Sequence, residues 1–109
     1  MAIIFHNKLV RDKIPEIIEA SGKTAAVRTL NETEYLEMLD QKLQEEMNEY
    51  LLDKSMEEIA DLLEVIRAVV KARGFSMDEV ENIRLQKAEK RGGFEDRIFL
   101  ESVSDSPSK

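Results

Sequence analysis

Two stretches of apolar residues at helical spacing, separated only by Asp53-Lys54-Ser55, constrain this chain more than any other feature. In the first, Tyr35, Leu36, Leu39, Leu43, Met47, Tyr50 and Leu51 recur at the three- and four-residue steps that place side chains on one face of an α-helix. In the second, Ile59, Leu62, Leu63, Val65, Ile66, Val69 and Val70 do the same. Asn31 with Glu34, and Ser55 with Glu58, stand at the two starts as capping boxes, and Gly74 closes the second run. A break this short turns the chain back on itself, so the spacing predicts an antiparallel hairpin of two long helices.

Shorter elements flank the hairpin. A helix is expected from Ile14 to Ala20, with Pro15 in its first turn and Ser21-Gly22 after it. Ser76 with Glu79 forms a third capping box, opening a helix that ends at Gly92-Gly93. Residues 24–30 and 94–101 carry weakly extended patterns, and a minor two-stranded pairing between them is expected. The fold class is therefore all-α: a central hairpin with flanking helices, forming a four-helix-type bundle. A hairpin that is apolar over such wide arcs cannot bury both sides alone, so dimerisation or higher association is expected to complete the bundle.

With 109 residues, a single domain over residues 1–101 is expected, followed by a disordered tail over 102–109. The absence of cysteine excludes disulfides, thiolate zinc sites and cysteine nucleophiles, and fits a reducing, cytoplasmic setting. No apolar run is long enough to span a bilayer, and no basic-then-apolar signal pattern opens the chain, so no membrane partner is expected. A net charge of −7 argues against nucleic acid as a partner, because phosphate binding needs a basic face.

That net charge hides an asymmetry. Between residues 32 and 64 twelve acidic residues face two basic ones, a block charge of −10; with −7 for the whole chain, the remainder carries +3. Most such charge lies on solvated helix faces. Placing each residue on a helical wheel separates the exceptions. Glu46 falls inside the apolar arc of the first long helix and Glu49 sits at its edge, whereas Glu45 points nearly opposite. Glu58 lies within the arc of the second helix and Asp61 flanks it, whereas Glu57 faces away. The hairpin brings Glu46, Glu49, Glu58 and Asp61 to one level, and four buried carboxylates cannot all stay ionised without compensation. A hard divalent cation supplies it, and oxygen-only ligands favour Mg²⁺ or Mn²⁺ over zinc.

These residues resemble a known family, the all-α nucleoside triphosphate pyrophosphohydrolases often called MazG-like, which include the phosphoribosyl-ATP pyrophosphohydrolases. The family pattern EExxE followed by ExxD is matched by Glu45-Glu46-Met47-Asn48-Glu49 and by Glu58-Ile59-Ala60-Asp61. The stretches NKLVRDKIP (residues 7–15) and KRGGF (residues 90–94) resemble one branch of it, and the likeness spans roughly residues 5–101. The resemblance implies Mg²⁺ on Glu46, Glu49, Glu58 and Asp61, with these four as the catalytic set, a dimer with its sites near the interface, and hydrolysis of a nucleoside triphosphate to monophosphate and pyrophosphate as nucleotide-pool cleaning. Phosphoribosyl-ATP hydrolysis in histidine synthesis is the alternative within the family. The histidine-pathway enzymes carry a Tyr-His pair after the leucines, where this chain has Glu64-Val65. A non-catalytic acidic helical dimer that binds a basic partner is the alternative outside it.

Two basic blocks are the concentrated positive charge available to a triphosphate: Lys8, Arg11 and Lys13, and Lys87, Lys90 and Arg91. If the second block meets phosphates, Arg91→Ala should weaken a non-hydrolysable triphosphate by about 1.5–3 kcal/mol for the lost charged hydrogen bond, and a monophosphate much less. Equal losses for both ligands would reduce the block to a complement of its helix end.

Overall fold

A computed structural model describes residues 2–105 as an all-α chain of four helices: α1 (Ile14–Ala20), α2 (Glu32–Asp53), α3 (Met56–Ala72) and α4 (Met77–Arg91). The start of α2 is a full capping box. The Asn31 side chain accepts the Glu34 backbone N–H at 2.9 Å, and the Glu34 carboxylate accepts the Asn31 N–H in return. Ser55 caps α3 by accepting the Glu58 N–H. Between them Lys54 takes φ 57, a left-handed conformation that ends α2 and lets α3 begin two residues later. Its ammonium sits 5.5 Å from the centre of the Tyr50 ring, a cation–π contact that holds the turn.

The chain falls into two compact units, Met1–Met77 and Asp78–Lys109. The first is built on the packing of α2 against α3. An ion pair between Asp40 on α2 and Arg73 after α3, 3.3 Å apart, ties the open end of this antiparallel pair. Leu39, 2% exposed, and Val65, 9% exposed, are the buried hydrophobic residues among those described. Tyr35, Leu36, Leu43 and Tyr50 on α2, with Ile59, Leu62, Ile66 and Val69 on α3, are half-buried around them.

Near the turn the apolar pattern outruns the packing. Met47, Leu51, Leu52, Met56 and Leu63 are 42–84% exposed, because two helices form one layer and the apolar arc of each is wider than the seam between them. In the second unit α4 carries Lys90 and Arg91 in its last turn, where cations complement the helix dipole. It ends at Gly92, φ 81, whose N–H reaches the Ala88 carbonyl at 2.8 Å.

The expected two-stranded pairing does not form: no strand occurs among the described residues. Local contacts win in both segments. Arg28 grips the Glu34 carboxylate with both terminal nitrogens, at 3.0 and 3.3 Å, and ties residues 24–30 to the start of α2. Residues 94–101 open with a turn in which the Arg97 N–H reaches the Phe94 carbonyl at 3.2 Å, with Arg97 at φ 59. Of the expected tail, residues 102–105 are exposed and without helix or strand, and 106–109 lie outside the described residues. No described helix is long and apolar enough to cross a membrane.

With so few buried side chains, each carries weight. Leu39→Ala should lower stability by about 2–5 kcal/mol, and Asn31→Ala by about 1 kcal/mol through the lost cap. Thermal unfolding followed by circular dichroism checks both; a Leu39→Ala protein as stable as its parent would refute the packing of this seam.

Candidate metal centre

The two long helices deliver carboxylates to the turn end of their seam. Glu46 is the buried charged residue of the described chain, 6% exposed, and Glu49, Glu58 and Asp61 are half-buried beside it. One oxygen each from Glu46, Glu58 and Asp61 lie within 4.8 Å of one another, and the same is true of Glu45, Glu46 and Glu49. Glu46 belongs to both triads. The four carboxylates expected inward on the wheel are therefore brought together, with Glu46 as the hinge of the group.

Their electrostatics are unresolved by the protein alone. Glu46 Oε2 and Glu58 Oε2 are buried and have no hydrogen-bond partner. Burial raises the pKa of Glu46 above the ordinary carboxylate value, and the charges of Glu49 and Asp61 add to the rise while Lys42 opposes it. Burial also raises Glu58, followed by the charges of Glu49 and Asp53, a carboxyl contact with Glu49, and the charge of Asp61. Like charges crowded in a desolvated seam disfavour ionisation, and orphaned buried oxygens add a cost of their own. An all-oxygen donor set with two unpartnered acceptors fits a hard divalent cation on Glu46, Glu49, Glu58 and Asp61.

Glu45 is placed differently from the wheel. Instead of standing in solvent it is half-buried, accepting Lys8 Nζ at 2.9 Å on one oxygen and Lys42 Nζ at 3.4 Å on the other. The reason is tertiary: the segment before α1 runs along that side of α2, which a wheel of one helix cannot register. Hydrogen bonding to Lys8 lowers the Glu45 pKa and raises that of Lys8. Glu57 is exposed, as the wheel predicts.

Lys42 is the neighbour that motif reading passes over. It reaches Glu46 Oε1 at 3.3 Å as well as Glu45. The signal is present in the sequence as an i, i+4 Lys–Glu spacing. Of the basic residues assigned to phosphate, Lys8 and Arg11 are drawn to carboxylates: Arg11 Nη2 is 2.7 Å from Asp61 Oδ1. Lys13 is exposed at the N-cap of α1. Lys87, Lys90 and Arg91 are exposed on α4, in the second unit.

No family model matches the chain, and no solved structure matches it. A curated protein of Mycolicibacterium smegmatis, described as uncharacterized, is 57% identical over 42 residues, covering 38% of this chain and 43% of the relative. The chain thus spans less than half the length of that relative.

The raised pKa values set a pH dependence. A carboxyl whose folded pKa exceeds its unfolded value of 4.5 destabilises the fold as pH rises from that value through the folded pKa, because the folded state holds the proton longer. Glu46→Gln removes this cost, so the metal-free variant should unfold at a higher temperature than its parent at neutral pH, and the difference should vanish below pH 4.5. Melting curves in chelator across pH check it; a variant less stable at neutral pH would contradict the desolvated charge.

Proposed function

We propose that the chain is a Mg²⁺-dependent nucleoside triphosphate pyrophosphohydrolase, cleaving between the α and β phosphates to give a nucleoside monophosphate and pyrophosphate. The observation that carries this reading is the buried, unpartnered oxygens of Glu46 and Glu58 within a four-carboxylate cluster. The order of the carboxylates along the two helices resembles that of the MazG-like enzymes, which adds the reaction class. When bound, a divalent cation would neutralise phosphate charge and acidify water.

The chain's own residues divide the work. Glu46, Glu49, Glu58 and Asp61 hold the cation from two helices that one short turn keeps in register. Lys42 partly neutralises Glu46, so the cluster retains net negative charge for a divalent ion without the full repulsion of bare carboxylates. Lys13 is an exposed cation of the same unit, suited to the phosphates beyond the cation. The exposed Met47, Leu51, Leu52, Met56 and Leu63 fit a second copy of the chain, which would complete a bundle around the site. Nucleotide-pool cleaning in the cytoplasm is the cellular role this chemistry suits.

A second reading has its own observation. Lys8, Arg11 and Lys42 already pair with Glu45, Asp61 and Glu46, as they would in a non-catalytic acidic helical protein that binds a basic partner. Magnesium calorimetry on the wild type and Glu46→Gln separates the two, since the non-catalytic reading needs no cation.

The enzyme reading predicts pyrophosphate release from a panel of nucleoside triphosphates only when Mg²⁺ or Mn²⁺ is present. Glu46→Gln and Asp61→Asn should each lower kcat/KM at least a hundredfold, about 2.7 kcal/mol in transition-state stabilisation, with helix content unchanged. Full activity in either variant would remove these carboxylates from the site. Phosphoribosyl-ATP belongs in the same panel, and growth of a histidine auxotroph carrying this chain would favour that substrate.

A further inference from the structure

The segment ahead of α1 is joined to the hairpin in an unusual way. Among residues 2–13 only Leu9 is half-buried, and the rest are exposed. No backbone hydrogen bond joins residues 2–10 to other described residues. Beside it an open cavity of about 230 Å³, lined by Lys8, Leu9, Met38, Gln41, Lys42 and Glu45, separates the segment from α2. Two ion pairs fasten it: Lys8 to Glu45 at 2.9 Å and Arg11 to Asp61 at 2.7 Å. Each lands on a different carboxylate triad, Glu45 in the one with Glu46 and Glu49, Asp61 in the one with Glu46 and Glu58. The strap therefore touches both halves of the cluster, and apart from the Arg11 and Lys13 carbonyls, which accept N–H groups of α1, it is held by little else.

We propose that residues 7–13 form a counter-ion strap whose two ion pairs compete with a divalent cation for the carboxylate cluster, so that cation binding releases the strap. A carboxylate oxygen that ligates a cation is withdrawn from its ammonium or guanidinium partner, and a cation of charge +2 at Glu46 repels both Lys8 and Arg11. Exposed ion pairs contribute little to stability, so the exchange is easily reversed. The independent pointer to a ligand is Glu46, nine-tenths buried and common to both triads: the strap pairs with Glu45 and Asp61, and Glu46 Oε2 has no hydrogen-bond partner. Release also frees Lys8 and Arg11 to meet an anion arriving with the cation. The inference rests on the divalent-cation reading of the site.

The absence of cysteine makes the test direct. His6, exposed at the start of the strap, is replaced in a His6→Cys variant and labelled with a nitroxide, and its mobility is followed by electron paramagnetic resonance during magnesium titration at constant ionic strength. The label should be restrained in chelator and become mobile with the same midpoint as calorimetric binding. In a Lys8→Ala, Arg11→Ala background it should be mobile from the outset, and magnesium should bind roughly 2- to 30-fold tighter, the equilibrium equivalent of two exposed ion pairs no longer competing. Magnesium binding with an unmoved label, or unchanged or weaker binding in the double variant, would overturn the strap alone. No magnesium binding in any variant would overturn the strap and the cation reading together.

Discussion

Glu46 occupies a position where a helix pair normally puts a leucine. Its carboxylate is buried in the seam between α2 and α3, one oxygen 3.3 Å from Lys42 and the other without a partner. Around it lie Glu45, Glu49, Glu58 and Asp61, so the turn end of the hairpin carries a charge that its own packing disfavours. Burying an incompletely paired carboxylate costs stability that a small seam built on Leu39 and Val65 has little reserve to offset. Features elsewhere in the first unit answer this constraint: Lys42 on the same helix, and Lys8 and Arg11 from the segment before α1, converge on the cluster from separate parts of the chain.

The hairpin suits this arrangement because its turn is short. The left-handed Lys54 and the Ser55 cap leave no slack between the helices, so residues 46 and 49 on one and 58 and 61 on the other are held at one level. A longer loop would allow the helices to slide by a turn, and the carboxylates would no longer meet. The local backbone thus sets the spacing of the cluster, while the apolar residues further along hold the helices together and Asp40–Arg73 closes the far end.

Much of this is legible in the residues. The starts of α2 and α3 follow from capping residues whose side chains bond to backbone N–H groups three residues on, and such interactions are local enough to read along the chain. The inward set of Glu46, Glu49, Glu58 and Asp61 follows from the 3.6-residue period alone. Two things were not legible. The pairing of residues 24–30 with 94–101 failed because a local tether, Arg28 to Glu34, and a local turn, Phe94 to Arg97, compete with any distant partner and form without closing a long loop. Glu45 reads as solvated because a helical wheel registers one helix and its axis, and not the segment that lies beside it.

The sequence by itself determined where the helices begin and end, that they fold back at residues 53–55, and which carboxylates face the seam, because each depends on contacts within four residues or on a fixed helical period. Only the tertiary structure decided that Lys8 and Arg11 meet Glu45 and Asp61. Lys8 lies 37 residues from Glu45 and Arg11 lies 50 from Asp61 along the chain, and no periodicity links them. Ion pairs at such separations form when folding brings the elements together, by an attraction that depends on distance in space and carries no signature in the order of residues.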